Sequence, residues 1–292
     1  MKFGQSDNPR ETGIPEGQQV LGGIASERIP VLVGLGQWNR TKIKNFYPRN
    51  TGCELAYYST QFNSIELNAT FHRIFTPTQI KEWREISAPH FTFVPKIPHE
   101  VSHMRRLHDY GEIIEKFVES ISNFGDKLGP VFLQNHEAFG PPNFDLLQGF
   151  VEVWKKYGIP LAVEVRRAEW HQEPFADEYY AYLRENNVSN ILIDTAGRRD
   201  LMHMSLTMPT AFIRFVGCNN DEIDYKRLDA WAARISEWQK EGLVGLNFFL
   251  HQHDEKESAK LAAHFVKKLN ELGVTDLEPP TVYNSPGPYL KP

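Results

Sequence analysis

TAFIRFVGCNNDEIDYKRLDAWAARISEWQKEGLVGLNFFLH, residues 210–251, holds two short apolar runs on either side of a longer amphipathic stretch. The runs, Ala211–Phe215 and Val244–His251, each end near a polar residue and read as buried strands. Between them Leu228, Trp231, Ala232, Ile235 and Trp238 recur at three-and-four spacing, which predicts a helix over 224–240 with one buried face. Strands that alternate with helices imply a parallel sheet.

The same unit recurs upstream. Val31–Leu35, Ser64–Asn68, Phe91–Lys96, Val131–Gln134, Leu161–Arg166 and Asn190–Asp194 are further apolar runs, and helical stretches separate most of them. Residues 109–126 carry a buried face at Ile113, Ile114, Phe117, Val118, Ile121 and Phe124, and 255–272 one at Ala259, Ala262, Phe265, Val266 and Leu269. The connection Thr195–Pro209 offers at most a poor helix. Eight such units over about 250 residues is the number at which a parallel sheet closes. The chain is therefore expected to be α/β, a single (β/α)8 TIM-barrel-like domain over 30–273, with its sixth helix weak or irregular. Residues 1–29 read as an irregular polar arm and 274–292 as an extended Pro-rich tail.

Composition narrows the function classes. At 292 residues, 41% hydrophobic and 24% charged, the chain can bury a large core. A net charge of -5 without a long basic block makes nucleic acid a thinkable but not a favoured partner. Only Cys53 and Cys218 are present, which suggests reduced thiols in the cytoplasm. No apolar leader and no run of eighteen apolar residues occurs, so neither an export signal nor a membrane span is expected. Nothing in the sequence points to a protein partner.

In barrels of this kind the C-terminal strand ends carry the chemistry. Here they read Gln37, Glu66 with Asn68, Lys96, Gln134, Glu164 with Arg166, Asp194, Arg214 and His251. Residues two apart share a face of a strand, so Glu66 pairs with Asn68 and Glu164 with Arg166. Glu66, Glu164 and Asp194 are the candidate catalytic residues; either glutamate becomes a general acid or base if burial raises its pKa toward neutrality. Lys96, Arg166 and Arg214 are candidates to hold a phosphate or carboxylate, with Asn68, Gln134 and His251 completing a polar pocket. The bland alternative is a network of ion pairs, Glu164 with Arg214 or Glu66 with Lys96, that stabilises the mouth and catalyses nothing.

Trp38, after Gly34 and Gly36, could stack on a base or sugar, or simply pack in the core. The loop KIPHEVSHMRRLH, 96–108, reads as a positively charged lid with His103 its best candidate, or as a solvated loop. His251 and His253 would point the same way from a strand and could chelate a metal with Glu66, Glu164 and Asp194. The three cations nearby and the lack of HxxxE or HExxH spacing speak against that, and no metal or cofactor is expected. Asn39 stands where GxGxxG needs a glycine, and no P-loop, nucleophile elbow or zinc-finger spacing occurs.

The run IELNATFHRIFTPTQIKEWREISAPHFTFVPKIPHEVSHMRRL, 65–107, resembles the DUF72 (YecE-like) family around that family's Glu-Ile-Asn-x-Thr-Phe-Tyr segment. The resemblance continues through FGDKLGPVFLQ, AVEVRRAEW, ILIDT and FIRFVG and spans roughly 31–272. It implies a TIM-barrel-like fold, without a secure biochemical function. Glu66, Asn68, Thr70, Lys96, His103, Gln134, Glu164, Arg166, Trp170, Asp194 and Arg214 match the family pattern. His72 departs from a usual Tyr, Asn135-His136 from a Pro-Pro pair, and Arg167 and Val216 from histidines; His251-Gln252-His253 occupies the region of an Asn-Asn pair. These departures suggest a branch with its own substrate. The expected function is an enzyme, a hydrolase or isomerase, acting on a small anionic or sugar-like molecule. The alternatives are a metal-dependent phosphodiesterase on nucleic acid and a non-catalytic ligand-binding or regulatory barrel.

Overall fold

The computed structural model describes residues 13–17, 19 and 21–283; the parts of the expected arm and tail at 1–12, 18, 20 and 284–292 lie outside them. Eight strands follow in order: β1 (Val31–Leu35), β2 (Ser64–Leu67), β3 (Thr92–Pro95), β4 (Val131–Gln134), β5 (Leu161–Glu164), β6 (Ser189–Thr195), β7 (Thr210–Gly217) and β8 (Gly245–Gln252). The α-helices are α1 (Glu54–Gln61), α2 (Ala69–His72), α3 (Pro77–Ile86), α4 (Gly111–Ile121), α5 (Phe144–Trp154), α6 (Phe175–Glu185), α7 (Asp221–Lys240) and α8 (Ser258–Glu271). Between β6 and β7 the chain makes only a 3-10 turn at Arg199–Leu201, where the sequence pattern predicts a failed helix.

The β7-α7-β8 unit shows why these segments form. The Asn220 side chain caps α7 by accepting from the Ile223 N–H, and Asp221, Glu222 and Asp224 oppose the positive end of the helix dipole. Leu228, Trp231, Ala232, Ile235 and Trp238 then form its buried face, as their spacing predicts.

Six strands form one parallel sheet in the order β1-β8-β7-β6-β5-β4, and β2 pairs with β3. Two seams complete the circle by other means. Between β3 and β4, Gly129 N–H donates to the Phe93 carbonyl at 2.8 Å and Ile97 N–H to the Phe132 carbonyl at 2.9 Å. Between β1 and β2, side chains replace the backbone ladder: Asn63 accepts from Val33 N–H at 2.9 Å and donates to the Val31 carbonyl at 2.7 Å. The Tyr58 hydroxyl accepts from Leu35 N–H at 2.8 Å and donates to the Ser64 carbonyl at 3.2 Å. Gly34 is obligatory there, because a Cβ would collide with the Ser64 carbonyl.

Val94, Phe132, Ala162, Ile191, Ile193, Phe212 and Phe249 pack together as a separate apolar cluster drawn from strands alone, the filling of the barrel. Their alternates along each strand, such as Leu192, Ile213 and Phe248, join the larger core against the helices. This alternation fixes which strand-end side chains enter the mouth.

Candidate active site at the C-terminal end of the strands

Arg214 lies two residues beyond Phe212 on β7 and therefore points inward. Its Nε donates to Glu66 Oε2 and its Nη2 to Glu66 Oε1, both at 2.7 Å, a bidentate fork. Its Nη1 donates to Glu164 Oε2. Glu164 Oε1 in turn accepts from Arg166 Nε and from Gln134 Nε2, each at 2.8 Å. Gln134 Oε1 then faces Lys96 and accepts from its Nζ at 2.9 Å. Asn68 Nδ2 donates to Glu66 Oε1 at 2.9 Å, and His251 Nε2 lies 3.1 Å from the same oxygen. Gly36 permits this closeness, because a Cβ would strike the His251 ring and the Asn68 amide. Glu66, Asn68, Lys96, Gln134, Glu164, Arg166, Arg214 and His251 thus form one connected network.

The electrostatics overturn the expectation that burial makes the glutamates acids. Burial alone would raise both, but Arg214 and His251 hold Glu66 well below the usual carboxylate range. Against the same effect of burial, Arg214 and Arg166 pull Glu164 down to about 2. Both are fixed carboxylates at neutral pH. Arg214 is pushed the other way, its guanidinium charge stabilised by Glu164 and Glu66 against the cost of burial. With all three of its donor nitrogens on carboxylates, Arg214 is not the open anion binder the sequence suggests. His251 rises to about 9: burial opposes its charge, but Glu66 and a hydrogen bond to Glu255 outweigh it. His251 and Glu66 form an ion pair, whereas His253 is exposed, so the two histidines do not act as a chelating pair.

Lys96 moves furthest toward neutrality. Burial first, then the repulsion of Arg214, lowers its pKa to about 7 despite the opposing pull of Glu66 and Glu164. Its Nζ sits 4.2 Å from the centre of the Phe71 ring and 5.7 Å from that of Phe132. Thr70 holds the backbone beneath it, its hydroxyl donating to the Lys96 carbonyl at 2.8 Å and accepting from Lys96 N–H at 3.0 Å. Among the described residues the anticipated Glu66–Lys96 pair does not form, whereas Glu164–Arg214 does.

His103, on a single π-helical turn over Glu100–Met104, packs edge-on to Phe71 at 4.9 Å and to His136 at 5.4 Å between ring centres. Its Nδ1 meets Ser102 Oγ at 2.9 Å. Burial and the nearby Lys96 lower its pKa to about 4, so it stands neutral beside the network. Trp38 packs edge-on to Trp83 of α3 at 5.3 Å, a packing contact rather than a link to the network.

Asp194 corrects the sequence reading outright. Ile193, the register partner of Arg214, points into the barrel, so Asp194 points out toward α7. There it accepts from Arg227 Nη2 at 2.6 Å and Trp231 Nε1 at 2.8 Å, and it pairs with Arg199. It lies on the opposite face of the sheet from Glu66 and Glu164. The polar end of an apolar run marks where a strand stops; it does not give the parity of its last residue.

Phe71, Phe132 and Glu255 join the site without having stood out in the sequence. Phe132 was open to discovery, since it precedes Gln134 by two on β4. Phe71 and Glu255 sit outside the strands, where alternation gives no signal.

A family described as a protein of unknown function, DUF72, matches residues 32–283. The chain belongs to the DUF72 family. It is 24% identical over 275 residues to the UPF0759 protein YecE of Escherichia coli K12, covering 85% of this chain and 97% of that one. It is 26% identical over 166 residues to the UPF0759 protein YunF of Bacillus subtilis, covering 53% and 57%. The crystal structure of a DUF72 family protein from Enterococcus faecalis V583 superimposes with a TM-score of 0.67 at 20% identity, over 86% of this chain and 98% of that one. The likeness to that structure concerns the fold. No helix among the described residues is long and apolar enough to cross a membrane.

Proposed function

We propose that this DUF72 barrel is an enzyme acting on a small anionic molecule, with Lys96 as the group that reacts near neutral pH and Arg166 as the anion holder. Glu66 and Glu164 serve as fixed countercharges to Arg214, not as general acid and base. One observation carries this reading: the buried Lys96 amine has a neutral amide oxygen, Gln134 Oε1, as its hydrogen-bond acceptor while both neighbouring carboxylates are taken by arginines. A buried ammonium without a carboxylate contact is costly, and a lysine so placed gives up its proton early. Arg166 donates through Nε to Glu164, while its Nη nitrogens make no hydrogen bond among the described residues and its side chain is 29% exposed. That leaves a planar pair of donors for a carboxylate or phosphate.

The phosphodiesterase alternative fares worse on geometry. The space between Glu66 and Glu164, where a divalent ion would bridge, is filled by the Arg214 guanidinium. Trace acylation of the native protein across pH 5–10, with peptide mapping of the product, tests the proposal. Lys96 should reach half-reactivity near pH 7, and inorganic phosphate should slow its labelling. A midpoint in the ordinary lysine range would overturn it.

A further inference from the structure

We infer that Lys96 is a nucleophile that forms an imine with an aldehyde or ketone whose carboxylate or phosphate rests on Arg166. The inference rests on Lys96 being the reacting group and narrows the substrate class to anionic carbonyl compounds.

The orientation of Gln134 is the first reason. Its Nε2 is committed to Glu164 Oε1, so its Oε1 must face Lys96 and accepts one N–H. A neutral amine held by one donated hydrogen bond keeps its lone pair free to attack, and no ion pair has to break first. A desolvated lysine beside another cation is a recognised way of activating this amine, and Arg214 supplies the cation. The charged and titratable groups acting on the amine are Glu66, Glu164, Arg166 and Arg214; His103 is the neighbour whose own proton affinity Lys96 depresses.

The second reason concerns the product. Attack of Nζ on the carbonyl carbon makes a C–N bond as the carbonyl π electrons move to oxygen; a proton passes from nitrogen to that oxygen, giving a carbinolamine. Loss of the oxygen as water, using the second amine proton, leaves the neutral imine. Protonation of the imine places a cation where Phe71 and Phe132 already turn their rings toward Nζ. Glu164, bonded to Arg166 on the same side, ties the anion holder to the amine through Gln134. The substrate would bear both a carbonyl for Lys96 and an anion for Arg166.

The test is reductive trapping on the full chain. Pyruvate, glyoxylate and glyceraldehyde 3-phosphate are each added with borohydride, with acetone and propanal as uncharged controls, and the labelled peptide is mapped. The expected result is an adduct on Lys96 with at least one of the three, formed roughly tenfold faster than with an uncharged carbonyl of the same type, acetone for pyruvate and propanal for the two aldehydes, as one charge-assisted contact would give. The carboxylate and phosphate arms tell which anion the site takes. Lys96→Arg should abolish the adduct, and mapping on the wild type keeps the test valid should that variant fold poorly. Labelling confined to other lysines, equal in wild type and Lys96→Arg, overturns the inference. Trace acylation of the same preparation separates the failures: a Lys96 midpoint near pH 7 without an adduct sinks the imine alone, whereas an ordinary midpoint sinks the broader reading as well.

Discussion

Two arginines lie buried between pairs of carboxylates on opposite faces of the same sheet. Arg214, inside the barrel, bridges Glu66 and Glu164; Arg227, on α7 outside it, bridges Asp194 and Asp224. The outer cluster closes in charge, with Arg227 and Arg199 set against Asp194 and Asp224, although the buried Nε of each arginine has no hydrogen-bond partner. Arg227 Nη2 also donates to the backbone carbonyls of Asp194 and Val216, each at 3.1 Å, while Asp194 accepts from Trp231 and Asp224 from Cys218 N–H. The inner cluster does not close, because it leaves Lys96 without a carboxylate and Arg166 partly in solvent. Buried charge alone therefore does not mark a site. What marks one is the charge left over after the ion pairs are counted.

The largest effects should come from removing either arginine. Arg227→Met and Arg214→Met each remove the cation shared by two buried carboxylates and leave them only their remaining partners, and each should lower stability by about 3 to 5 kcal/mol in a urea melt. The clusters should differ in how they are rescued. Adding Glu164→Gln to Arg214→Met should recover part of the loss, since one of those buried charges disappears; added to Arg227→Met it should recover nothing. Lys96 should titrate above its present value of about 7 in Arg214→Met, because the repelling guanidinium is gone, and stay put in Arg227→Met. Equal movement of Lys96 in both would show that the two faces are one electrostatic unit and remove the contrast.

The pH dependence of stability sharpens the comparison at intermediate size. His251 has a folded pKa of about 9 against an ordinary 6.5, so its contribution is fully present below pH 6.5 and is lost as pH rises through 9. Lys96 has the opposite sign. Its folded pKa of about 7 lies below the ordinary 10.5, the unfolded chain binds more protons between those values, and stability rises with pH across that window. Between pH 7 and 9 the two oppose each other. His251→Asn should expose a rise, and Lys96→Met a fall, each on the order of 2 kcal/mol. Thermal melts at pH 6, 7.5 and 9 check this; parallel curves for the two variants would mean that neither group titrates as described.

The barrel was legible because apolar runs and helical spacing report burial directly, and Thr195–Pro209 was legible as a broken unit for the same reason. Glu66, Gln134, Glu164 and Arg214 were legible as mouth residues because strand ends in such a fold have a known place. The sequence could not show that Arg214 would be consumed by both glutamates, which reverses the expected direction of their pKa shifts. Nor could it show the parity of Asp194, which depends on register against β7. Lys96 emerged as the exceptional group through what surrounds it, two aromatic rings and an amide, and these come from segments distant from it in the chain.

The smallest stability effect, and the sharpest functional one, should come from Arg166→Gln. The side chain is partly solvated, although its partner Glu164 is buried, so the melt should move less than in Arg214→Met. Glu164 keeps Arg214 and Gln134 as partners in the variant. Anion binding should nevertheless suffer, because a charge-assisted contact worth about 1.5 to 3 kcal/mol is replaced by a neutral amide, a loss of roughly tenfold or more in affinity. Arg199→Gln is the matched control: it too is a partly exposed arginine paired to a buried carboxylate, but its partner is Asp194 in the outer cluster. Titrating inorganic phosphate against both variants by calorimetry should weaken binding in the first and leave it intact in the second. If the two lose affinity alike, the anion is held by the general field of the protein and not by the inner cluster, and the distinction between a closed and an open ion network loses its functional meaning.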